Sequence, residues 1–69
     1  MKFIWIKEAR GMGKSRMRRI NLERVCGVDE FKPMQVEFPE SEGPWWWVAL
    51  DRDGFMFRGT YDDVERTFR

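Results

Sequence analysis

Apolar and polar residues alternate along most of this chain, and glycine or proline interrupts them at intervals that suit strands. Lys2-Phe3-Ile4-Trp5-Ile6-Lys7 is aromatic and β-branched, with Phe3 and Trp5 on one face of a strand and Ile4 and Ile6 on the other. Apolar side chains on both faces predict a strand covered on both sides. Gly11 and Gly13 mark a turn, and Arg16 to Ile20 returns as a second, far more polar strand. Asn21 is a good cap for a short helical turn, with Leu22 and Val25 three apart. Val28 to Phe31 reads as extended, and Pro33 interrupts. Met34, Val36 and Phe38 alternate with Gln35 and Glu37, which predicts a half-buried strand, and Pro39 to Pro44 is a loop by composition.

The strongest pattern follows. Trp45 to Leu50, then Asp51-Arg52-Asp53-Gly54, then Phe55 to Arg58 predicts a β-hairpin with an Asp-Gly turn. Loops of two or four residues both place Trp46, Val48, Leu50, Phe55 and Phe57 on one face. A three-residue loop with a glycine bulge would group Trp45, Trp47 and Ala49 with the phenylalanines instead. The first grouping is preferred, because it puts five large apolar side chains on the core face. Thr60 then caps a short helix whose first turn is acidic, and Tyr61, Val64 and Phe68 recur at helical spacing. The expected fold is α+β: a small antiparallel sheet or partly open barrel of 4–6 strands, closed by a C-terminal helix of about two turns lying on the sheet.

The segment Ile20 to Val25 (INLERV), a strand ending in an acidic-Gly turn, and Phe55 to Phe68 (FMFRGTYDDVERTF) together resemble the small flagellar-operon FlbD-like proteins. The resemblance covers roughly residues 15–69. It implies a hairpin, an Asn-led turn, a second hairpin and a closing capped helix. Phe31 to Pro44 and the triple Trp have no place in that family's pattern. The resemblance implies a build and no site.

Composition narrows the chemistry. The chain has 69 residues, one cysteine (Cys26) and no histidine. This is the size of a single domain, 1–69, with a marginal core. No disulfide can form within the chain, and a Cys/His zinc site lacks its ligands. The lone thiol fits a reducing compartment, and no run approaches the ~18 apolar residues of a membrane span. The expected location is cytoplasmic. Residues 1–24 hold eight Lys/Arg against two Glu, a net +6, and residues 25–69 hold five against ten, a net −5. Opposite halves of this kind can complement each other in the fold or across a dimer.

Gly13-Lys14-Ser15 has the tail of a phosphate-binding loop, but the glycine required five residues before Gly13 is Glu8. A basic hairpin turn is the better reading. Arg10, Lys14, Arg16, Arg18 and Arg19 are five cations within ten residues, and as a projecting hairpin they would meet phosphates. Without histidine the usual base near neutral pH is missing, so no catalytic residue is assigned. Asp51-Arg52-Asp53-Gly54 has the acid spacing of a calcium loop but not its closing Glu. Cys26 beside Val25 reads as a small core residue. No metal and no cofactor is expected.

These exclusions point to a non-enzymatic protein-binding module, an accessory factor or an inhibitor encoded by a phage or mobile element that occupies its target stoichiometrically. The alternative is a nucleic-acid-binding protein using the 10–19 hairpin. Consecutive strand residues face opposite ways, so Trp46 points into the core while Trp45 and Trp47 need cover from the helix, the first strand or a partner. The expected partner surface is Trp45, Trp47, Met56, Arg58, Arg16, Arg18 and Arg19. A homodimer would cover it, with Trp45 or Trp47 near the interface and the basic half of one chain against the acidic half of the other.

Overall fold

A computed structural model describes residues 2–32 and 36–69. Strand β1 (Phe3–Gly11) turns through Met12 and Gly13 into β2 (Lys14–Asn21). Both turn residues have positive φ, 54° and 75°, the geometry of a two-residue type I′ hairpin, which Gly13 adopts without strain. Asn21 Oδ1 accepts the Glu23 N–H at 3.0 Å and caps the 3₁₀ turn Leu22–Arg24, as its position predicts. Strand β3 (Val25–Phe31) follows, then β4 (Trp45–Leu50), β5 (Gly54–Arg58) and helix α1 (Tyr61–Phe68).

The five strands form one antiparallel sheet in the order β2-β1-β5-β4-β3. This is the expected small α+β fold, with the sheet open. Its edges, β2 and β3, are joined by only the three residues Leu22–Arg24. In a flat sheet those edges would stand ~19 Å apart, while a three-residue 3₁₀ turn rises about 6 Å. The sheet must therefore curl until its two edges approach at this end. The curl makes a concave face, and the core fills it. Ile6, Ile20, Trp46, Val48, Phe55, Phe57 and Val64 are buried there, with Ile4, Leu22, Val25, Val28, Leu50 and Phe68 packed around them.

Helix α1 closes the concave face. Thr60 and Asp63 form a reciprocal capping box. The Asp63 carboxyl is held below the ordinary carboxylate range by the Thr60 backbone N–H first, then by the Thr60 side chain and Arg66. Val64 is buried, and the Phe68 ring meets Phe57 edge-on at 5.0 Å.

Three expectations need correction. The β4–β5 face grouping is as preferred, with Trp46 opposite Phe57 and Val48 opposite Phe55, but the turn is not at Asp53-Gly54. Leu50 N–H donates to Asp53 O at 2.8 Å, so the loop is Asp51-Arg52, and Gly54 lies inside β5 under the Trp47 indole. A Cβ on Gly54 would come within 2.5 Å of Trp47 Cζ2, so glycine stands there to admit the ring. Strand β1 is covered on one side only: Ile6 is buried, whereas Phe3 and Trp5 are exposed. The strand expected over 34–38 is not found at Val36–Phe38, which form turns, and Met34 and Gln35 lie outside the described residues. Local alternation there gives way to a tertiary need, because this segment covers the back of the sheet.

Candidate functional site

The convex face of the sheet is where chemistry is exposed, and the segment 36–44 divides it. This strap is tied down at both ends and the middle. Met12 N–H donates to Glu37 O at 2.9 Å, Trp45 Nε1–H to Pro39 O at 2.8 Å, and Gly59 N–H to Pro44 O at 3.1 Å. The Phe38 ring stands edge-on to Trp45 at 5.2 Å. Under this strap Trp45 is only 6% exposed, and Met56 is equally buried. Two residues of the expected partner surface are thus interior, and the cover over Trp45 is the strap rather than the helix or the first strand.

On one side of the strap lie β3 and β4. Trp47 is 41% exposed and stands opposite Asp29, with Phe31 exposed farther along β3. Strand β3 ends the ladder, and β4 is its only strand neighbour among the described residues. Trp46 faces inward, its Nε1–H donating to Gly59 O at 2.8 Å, so the opposed orientations of Trp46 and Trp47 are as expected.

On the other side lie β1 and β2. Pairing sets Trp5 opposite Arg19 and Lys7 opposite Met17, and these share the convex face with Phe3. Trp5 is 66% exposed, Met17 and Phe3 are exposed too, and the Arg19 guanidinium lies 4.4 Å from the Phe3 ring centre. The sequence offers Trp5 as a residue that could stack on bases and Arg19 as part of the partner surface, but it does not group them with Phe3 and Met17. The signal for the patch as a whole was the second apolar face of β1, for which cover was assumed. Between β1 and the strap opens a groove of about 530 Å³, with Lys7, Lys14, Ser15, Arg58 and Thr60 among its lining residues.

The basic hairpin is split by strand parity. Arg16 and Arg18 project to the concave side, where Glu8 is 6% exposed. Glu8 takes ion pairs from Arg16 at 3.1 Å, Arg18 at 3.2 Å and Arg10 at 3.5 Å, and Arg18 reaches on to Asp53 at 2.8 Å. The Arg18 guanidinium also lies over the Phe55 ring at 5.5 Å, and its affinity for its proton is raised chiefly by the hydrogen bond to Asp53. These arginines close one end of the core. By contrast, no ion pair joins Lys7, Lys14, Arg19 or Arg58 to a carboxylate among the described residues.

The remaining candidates are structural. Asp51 lies 3.8 Å from Arg24, so both acids of the calcium-like spacing face arginines. Among the described residues no cluster of acids, Cys or His suits a metal ion. Cys26 is exposed rather than in the core, with Sγ 3.6 Å from Arg24 O. No helix among the described residues is long and apolar enough to cross a membrane. Compared with protein-family models, curated proteins and solved structures, the chain gives no match in any of the three.

Proposed function

We propose that the protein is a non-enzymatic binding module that takes a protein partner along the free edge of β3 and the Trp47–Phe31 surface beside it. The observation that carries this reading is Trp47, 41% exposed next to a strand that ends the sheet. An open strand edge accepts an extended segment by main-chain hydrogen bonds, and tryptophan supplies the apolar anchor that interfaces favour. The opposite edge, β2, is rich in lysine and arginine, which discourages strand pairing there. A second copy of the chain is one such partner, and β3-to-β3 pairing about a two-fold axis would give the homodimer. In a cell, stoichiometric occupation of a target through this edge suits an accessory factor or an inhibitor carried by a phage or mobile element.

Light scattering during size-exclusion chromatography tests the self-pairing form. The expected result is a dimer mass at micromolar protein, falling to monomer for Trp47→Ala and for Glu30→Pro, which removes an edge-facing N–H from β3, since Glu30 lies opposite Trp46 and Trp46 bonds toward β5. If the wild-type chain is a monomer, a protein recovered with it from its source cells should be lost with the same two substitutions. Retention of every recovered protein by both variants would defeat the proposal.

A further inference from the structure

We infer that the other half of the convex face, from the Lys7–Lys14–Arg58 groove to Trp5 and Phe3, binds single-stranded nucleic acid. The charge there is free to act. Lys7, Lys14, Arg19 and Arg58 have no carboxylate partner among the described residues, whereas the arginines on the concave side are held by Glu8 and Asp53. The alternation of β2 makes this separation, sending Arg16 and Arg18 inward and Arg19 outward. Two carboxylates, Glu42 and Asp63, also line the groove. That of Asp63 is engaged by the Thr60 N–H and by Arg66.

The aromatic groups select the class of polyanion. Phe3 and Trp5 are two apart on β1, so their side chains leave the same face ~7 Å apart. Single-strand binders combine such a stacking platform with a cationic track for the phosphates. The Arg19 guanidinium over Phe3 adds a planar cation to the platform. Duplex nucleic acid keeps its base faces stacked on one another and offers nothing to Trp5. An acidic protein segment would meet the cations and gain no stacking on the rings.

A fluorescently labelled thymidine oligomer of ~12 nucleotides, titrated with the intact protein and followed by anisotropy, tests the inference. Binding is expected at low salt, with log affinity falling against log salt at a slope of about −3 if all four cations meet phosphates. Trp5→Ala should weaken binding roughly tenfold or more, and Trp5→Phe should restore most of it. Lys7→Glu with Arg58→Glu should weaken it at least about tenfold. Arg24→Ala and Trp47→Ala should leave it unchanged, which separates this surface from the β3 edge. Circular dichroism of each variant checks that it folds. Absence of binding at low salt, equal affinity for the matching duplex, or equal competition by polyglutamate would each overturn the inference. So would binding insensitive to both the Trp5 and the Lys7/Arg58 substitutions.

Discussion

The two long hairpins of this protein carry large side chains on both faces and finish in opposite states. In β4–β5 the inward residues Trp46, Val48, Phe55 and Phe57 make the core, and the outward residues Trp45 and Met56 are buried again under the strap, with Trp47 beyond it 41% exposed. In β1–β2 the inward residues Ile6 and Ile20 join the same core, while Phe3, Trp5 and Met17 stay open to solvent. The two hairpins share one sheet, one curl and one core. They differ in whether a second layer of chain lies on the back. A small domain has too little chain to cover both faces of five strands. On that bare face Lys7, Lys14 and Arg19 have no carboxylate partner among the described residues, whereas the inward arginines of the same hairpin are held by Glu8 and Asp53.

The largest break in this contrast should come at Trp46. Trp46→Ala removes the biggest core side chain together with its hydrogen bond to Gly59, and should cost on the order of 3–5 kcal/mol. That approaches the whole stability of a chain this size. Urea unfolding should show a transition near zero denaturant, or no cooperative transition.

Trp45→Phe probes the strap itself. The ring stays against Phe38, but the donor to Pro39 O is lost, at a cost of about 1 kcal/mol. Native-state hydrogen exchange should show faster exchange at Met12 N–H and Gly59 N–H, which the strap carbonyls protect, while core amides change little. Unchanged exchange at those two amides would mean that Trp45 does not fix the strap.

Trp5→Ala should have the smallest effect on folding. Removing a side chain that is two-thirds exposed leaves stability within about 0.5 kcal/mol, read from the same urea midpoint. A loss comparable to that at Trp46 would show that the convex face of β1 is covered in solution, by another chain.

Much of the covered hairpin was legible in the sequence. Large apolar residues at alternate positions fix which side chains share a face whatever the loop length, so Trp46, Val48, Phe55 and Phe57 group correctly. The turn was misplaced because Asp53-Gly54 is a favoured turn pair, and local preference cannot reveal that Gly54 is needed beneath an indole. Asn21 and Thr60 were readable because capping depends on neighbours two or three residues away. The strap was not readable, since the alternation of Val36 and Phe38 is local whereas the need it meets arises at Trp45 and Met56. The candidate site failed in the same way. The run from Arg10 to Arg19 looked like one basic arm. Strand parity alone separates Arg18 from Arg19, but only the fold places Glu8 and Asp53 where they hold the inward arginines.

The strand order also governs how the chain must be built as it is synthesised. Strand β1, the first of the five strands in chain order, has β5, the fifth, as one of its two neighbours. The β1–β2 hairpin can close as soon as its Met12-Gly13 turn is available. Until β4, β5 and α1 emerge, its inner isoleucines have nothing to pack against, and the edge of β1 stays unpaired. Contacts between such distant parts of a chain form slowly. At a ribosomal rate of ~5–20 residues per second the wait lasts several seconds. In that interval the hairpin has apolar side chains on both faces, and the lysines and arginines of β2 discourage strand pairing along the outer edge only, which leaves the β1 edge for β5.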